Sequence, residues 1–197
     1  MARPAEVFTW LDTYLRLPNK ILITTRFREF RGDYPIEVSG MNEAETDELI
    51  DRVAQDLGIA HLATTKWRRE VWEESEGHPY VVRMLVGELA AAGKTGKVER
   101  LLATKEYVLD ALFERAYELL SPAARRLFLV LAGWRSAVPE VAAEAVLLRP
   151  ENPHMDVKAA VDELRRFSFI EIAVSPEDES VFLSVPLSAA VFGRGKL

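Results

Sequence analysis

Lys20-Ile21-Leu22-Ile23-Thr24-Thr25-Arg26 is the stretch around which the chain is organised. Consecutive apolar residues mark a strand buried on both faces, the pattern of a parallel sheet. Thr24, Thr25 and Arg26 close it with two hydroxyls and a guanidinium. They stand at the carboxyl end of the strand, where open α/β sheets bind ligands. Upstream, Val7, Trp10, Leu11, Leu15 and Leu17 predict a short amphipathic helix, broken by Pro18-Asn19. Downstream, Pro35-Ile36-Glu37-Val38 is a second, short strand candidate.

From Asn42 the pattern turns helical. Asn42 and Glu45 form a capping-box pair, and acidic residues crowd the first turns, where the helix dipole favours them. Leu49, Ile50, Val53 and Leu57 are the buried stripe, and Gly58-Ile59 predicts a Schellman ending. A second helix is predicted from Thr65 or Lys66 to Glu76, with Trp67 and Val71 on one side and Gly77 ending it. His78-Pro79 restarts the chain, with proline at the first helical position, where its missing N–H is no loss. Val81, Val82, Leu85, Val86 and Leu89 follow at helical spacing, and Gly93 ends that helix. Helices over 96–103 and 106–120 complete a bundle.

Ser121-Pro122 is a boundary: a hydroxyl cap, then proline in the first turn. Helices are predicted over 122–132, 139–148 and 155–167. Two apolar or alternating runs, 169–174 and 180–185, flank the turn cluster Ser175-Pro176-Glu177-Asp178-Glu179 and predict a β-hairpin. Three helices and a hairpin outline a winged helix, and 186–192 predicts a closing helix. The expected fold is mainly α with small β parts. It divides into 1–40, a remnant of an α/β nucleotide-binding sheet; 41–120, a helical lid; and 121–197, a winged helix.

Composition narrows the function classes. The 197 residues suffice for one large domain or two small ones. A net charge of −6 disfavours a general nucleic-acid or anionic-membrane binder. The chain has no cysteine, which removes disulfides, thiolate nucleophiles and cysteine-type zinc sites and fits a cytoplasmic location. The N-terminus lacks the apolar core of a signal peptide, and no apolar run nears the ~20 residues that span a bilayer.

Ile21-Leu22-Ile23-Thr24-Thr25-Arg26, then Tyr34–Val38 with an acidic helix, then Glu76-Gly77-His78-Pro79 opening an apolar helix, then a winged-helix outline, resemble consecutive landmarks of the STAND class of signal-transduction NTPases. That class includes the plant NB-ARC resistance proteins and the apoptotic-protease activators. The resemblance implies that Arg26 senses a terminal phosphate and that Thr24 and Thr25 line the same region. It implies that the Gly77-x-Pro79 motif places Pro79 near adenine and ribose. ADP or ATP with Mg would be the cofactor of the intact parent, with none held tightly by this chain alone. A P-loop and a Walker B strand precede the sensor strand in the family, and neither stands before Lys20. The histidine that many members use on the ADP β-phosphate would fall near Ser184-Val185-Pro186, where Val185 stands instead. The expectation is therefore a regulatory fragment, not an enzyme by itself. Its implied partner is the missing P-loop domain. The unpaired edge of the 20–26 strand adds possible self-association.

Other signals have plainer readings. Gly87 to Thr95 mimics a P-loop, but five residues separate Gly87 from Gly93, and the spacer is a helix former. It reads as a helix C-terminus capped at Gly93. His61, His78 and His154 are scattered, and His78 reads as exposed and passive. Trp67, Trp72, Leu112, Phe113, Tyr117, Phe128 and Trp134 read as core. The alternative function is a winged-helix transcription regulator reading DNA through 155–167. Lys158, Arg165 and Arg166 are offset there by Asp156, Asp162 and Glu163, and the wing turn is acidic, which argues against DNA.

Overall fold

The computed structural model describes Thr9 and residues 36–96, 98, 108–134, 136–148 and 155–197. Lys20–Arg26 and Pro35 lie outside the described residues, as does most of the 7–17 helix. The chain divides into two units, Met1–Val38 and Ser39–Leu197. In the first, Thr9 is helical and Ile36–Val38 are exposed with no regular structure. The strand expected at 35–38 is thus not formed over its described part. Extended backbone becomes a strand only with a ladder partner, and no described strand pairs with it.

The second unit is mainly helical, with a small three-stranded antiparallel sheet. Its elements are α1 (Glu43–Asp56), a 3-10 turn (Ala60–Leu62), α2 (Thr65–Ser75), α3 (Pro79–Ala92), α4 (Val108–Leu119), α5 (Pro122–Gly133), β1 (Val138–Pro139), α6 (Val141–Leu147), α7 (Val157–Arg166), β2 (Glu171–Val174), β3 (Val181–Ser184) and α8 (Leu187–Gly195).

The first helices are delimited by their own sequence. Asn42 Oδ1 accepts from the Glu45 N–H at 2.9 Å, and the Glu45 carboxylate accepts from the Asn42 N–H at 2.8 Å. At the other end of α1, Ile59 N–H donates to Ala54 O and Gly58 N–H to Gln55 O. These are the two bonds of a Schellman motif, with Gly58 in the left-handed region at φ 69°. Gly93, left-handed at φ 64°, ends α3 with a single bond from its N–H to Leu89 O at 3.1 Å, so the P-loop mimic is a capped helix. Gly96 and Val98 are not helical, and the rest of the helix expected at 96–103 lies outside the described residues.

The sheet runs β1-β3-β2. Val138 and Pro139 were expected as the approach to a helix and its first residue, but they form the edge strand β1, and α6 starts only at Val141. The physical reason is the ladder. Glu140 N–H donates to Val181 O at 2.9 Å, and Pro139, the intervening residue, turns its N away from β3, where an edge strand tolerates proline.

One continuous core joins the helices before Leu120 to the elements after Ser121. Its centre is aromatic. Phe113, Phe128 and Phe169 are fully buried, with centroids 5.6 Å apart for Phe113–Phe169 and 4.6 Å for Phe128–Phe169. Phe192 of α8 stacks on Phe113 at 5.2 Å, and Tyr117 meets Phe128 and Phe192 edge-on. Each buried ring contributes ~2–3 kcal/mol of transfer free energy, plus its ring–ring geometry. Trp134 does not join them: it caps α5 and is 39% exposed. Its backbone is already extended at the cap, which turns the indole out of the helix stripe.

Candidate functional site

Of the expected site residues, Gly77 and Pro79 are brought together at the start of α3, whereas Thr24, Thr25 and Arg26 lie outside the described residues. The junction is built from the end of α2. Glu76 and Gly77 take successive left-handed conformations, at φ 47° and 71°, and reverse the chain. A non-glycine residue in that region costs roughly 1–2 kcal/mol, which Glu76 bears and Gly77 avoids. Gly77 is required for a second reason. Any Cβ there would collide with the Met41 backbone, and a Cβ on Gly40 would collide with Glu76 O. Two stretches of main chain therefore touch directly, and Met41 N–H donates to Gly77 O at 2.9 Å.

Side chains brace the contact. Buried Ser75 accepts from the Gly77 N–H at 3.2 Å and donates to Trp72 O at 3.3 Å. Trp72 Nε1–H in turn donates to Met41 O at 3.3 Å. Pro79 occupies the first position of α3 and is exposed. His78 is exposed but not passive: its Nδ1 caps the helix, accepting from the Tyr80 N–H at 3.2 Å and the Val81 N–H at 3.5 Å. Histidine is outside the usual capping set, so the sequence offered no signal for this role beyond its place before a helix-starting proline.

Tyr80 extends the junction across the molecule. Its hydroxyl donates to the backbone carbonyl of Ser168, in the left-handed turn between α7 and β2. Burial pushes the phenol well above its ordinary pKa, and the Glu171 charge adds to this, so it stays a donor at any physiological pH. The junction thus links Met41, the α2–α3 turn and the turn before β2 within one unit. Its exposed face offers a proline ring and a capped helix start.

Two open grooves lie elsewhere. One, of about 660 Å³, is lined by Gly133, Trp134, Val185, Leu187, Ala190 and Arg194. The other, of about 530 Å³, lies between the starts of α1 and α2. Its Arg68 is committed to Asp51 and Asp47 and donates to Ala63 O at 2.9 Å, and its Arg69 is paired with Glu73. Among the described residues no group of histidines and acids could hold a metal ion. No helix among them is long and apolar enough to cross a membrane. No protein-family model matches the chain, and no curated protein matches it.

Proposed function

We propose that this chain is the regulatory portion of a nucleotide-dependent switch of the STAND class: the sensor strand, helical lid and winged helix of an ATP-binding signal-transduction protein, acting by conformational change. The observation that carries the reading is the Gly77–Pro79 junction. A lid must present a rigid rim to nucleotide and pass a shift of that rim to the domain behind it. Here the exposed Pro79 sits on a turn locked to Met41, and the next residue, Tyr80, is bonded to the turn before β2. The order α5-β1-α6-α7-β2-β3, with the sheet running β1-β3-β2, supports a winged helix behind that lid. Its acidic wing turn, where Asp178 is held charged, supports internal packing over DNA reading.

In this reading Thr24, Thr25 and Arg26 face the phosphates, Pro79 faces the base, and a P-loop domain supplies the phosphate cradle and Mg-binding groups. The chain alone is not the catalyst, and it works in the cytoplasm. Calorimetric titration with Mg-ADP and Mg-ATP tests the assignment. A longer polypeptide that adds a P-loop domain upstream should bind nucleotide, with Arg26→Ala and Pro79→Ala each weakening it, while this chain alone shows little heat. Equal binding by both variants would sink the site. Salt-dependent retardation of duplex DNA by this chain would favour the transcription-regulator reading instead.

A further inference from the structure

We propose that β2 is a self-association edge, pairing antiparallel with β2 of a second copy of this chain. Among the described residues β2 has a partner only on its β3 side. Ser175 N–H donates to Ser180 O at 2.8 Å, and Ala173 and Glu171 oppose Phe182 and Ser184 in the same register. Antiparallel pairs alternate between bonded and non-bonded, so Glu171, Ala173 and Ser175 turn their backbone groups to β3. Ile172 and Val174 then present theirs to the open edge. Both side chains are apolar and exposed, at 38% and 61%.

The charge pattern selects the second copy as occupant. Arg165 and Arg166 close α7 just before the strand, and the charge of exposed Arg83 opposes that of Glu171 at the nearby Tyr80 hydroxyl. Neither Arg83 nor Arg165 is ion-paired among the described residues. After the strand comes the acidic turn Glu177-Asp178-Glu179. The strand therefore runs from an end that carries Arg83, Arg165 and Arg166 beside Asp162 and Glu171 to a wholly acidic one. A two-fold axis through Ala173 sets Ile172 opposite Val174 and Glu171 opposite Ser175. It also brings the acidic turn of each copy to the basic end of the other, the self-complementarity an isologous interface needs. Four backbone hydrogen bonds and two small apolar contacts fall short of the ~1,200–2,000 Å² of a stable interface, so the pair is reversible and concentration-dependent.

Sedimentation of the full chain over a wide concentration range tests this. The expected result is a reversible dimer, weakened by salt. Val174→Pro removes an outward N–H without touching the β3 ladder and should weaken the dimer about tenfold or more. If that variant misfolds by circular dichroism, Val174→Lys makes the same test. Arg165→Glu and Glu177→Lys should each weaken it and together restore it. Since the chain has no cysteine, Ala173→Cys creates a single thiol on the axis, where non-bonded pairs lie ~4.5 Å apart. It should oxidise to a disulfide dimer far faster than a cysteine placed at Leu148. A chain that stays monomeric at its highest attainable concentration overturns the proposal. So does a dimer indifferent to the residue 174 and charge-swap variants, which would use another surface.

Discussion

The helices before Gly93 and the elements after Ser121 solve the same problem by different means. In the first region each helix is closed by residues within a turn of its end: Asn42 with Glu45, Gly58 with Ile59, Thr64 on Trp67, His78 on Tyr80. In the second, α7 is closed locally by Asp156 on Ala159, but α5 and α8 borrow their closure from far along the chain. Ser121 caps α5, but its N–H and hydroxyl both donate to Glu163 of α7, at 3.0 and 2.7 Å. Gly193 of α8 lies so close to Ala132 and Phe128 that a side chain would displace them. The second region also leaves more apolar surface outside: Trp134, Val141, Leu148, Ile172, Val174, Leu187 and Val191 are exposed. Local closure makes a stiff element, whereas distant closure makes elements that stand or fall together and leaves surface for a partner.

Substitutions can break or sharpen this contrast. The largest effect is expected at the aromatic centre, which Tyr80 of the first region joins through Phe113 of α4 at 5.6 Å. Phe128→Ala should cost ~3–5 kcal/mol in denaturant unfolding and should lower the stability of both regions in one transition. Two transitions, with only the later elements weakened, would show that the regions are thermodynamically separate. Next come two left-handed glycines of the first region. Gly77→Ala combines strain with a collision against Met41 and should cost more than ~2 kcal/mol, whereas Gly58→Ala, with open space around its Cβ, should cost ~1 kcal/mol. Equal costs would mean that the Gly77–Met41 contact is not held in solution.

Third, the caps themselves can be compared. Asn42→Ala should cost ~1 kcal/mol, and hydrogen exchange should rise only at the start of α1. Glu163→Ala strands two half-buried donors and should cost ~1–3 kcal/mol, with exchange rising in both α5 and α7. The smallest effect is at the turn between β2 and β3. Asp178 accepts from the Ser180 hydroxyl at 2.6 Å and the Ser180 N–H at 3.2 Å, and the hydroxyl bond leads in lowering its pKa to about 2 from an ordinary 3.8. Because the folded value is the lower one, the stabilisation is present above pH 3.8 and lost as pH falls through about 2. Carbon-detected NMR titration should place the Asp178 midpoint near that value, and Ser180→Ala should raise it.

This contrast also explains what could be read from the chain. The Asn42 box, the Gly58 and Gly93 stops and the Ser121-Pro122 start are legible because their chemistry lies within four residues. The hairpin is legible from its turn cluster. β1 is not, because Val138-Pro139 becomes a strand only through a ladder to Phe182 and Leu183, more than forty residues on. Trp134 misleads because its spacing continues the α5 stripe while its backbone has already left the helix. At the candidate site, Gly77 and Pro79 carry their own backbone chemistry and could be named. Met41 and Tyr80 could not, since an unmarked apolar residue and a tyrosine acquire their roles only when distant turns reach them. Gly87 is a further case. Read as half of a failed motif, it is buried in mid-helix with the main chain of Arg166–Phe167 against it.

That last contact sets a dimension. Where α3 crosses the end of α7, backbone rests on backbone, with no room for a methyl group between them. The gauge is therefore at its minimum. Substitution at position 87 can only widen it, and no choice of side chain elsewhere can close it further. α3 carries the candidate site at one end and this crossing at its middle. The crossing is a mechanical stop: α3 cannot come closer to α7 there, so any ligand that shifts α3 must slide it along α7 or lift it away.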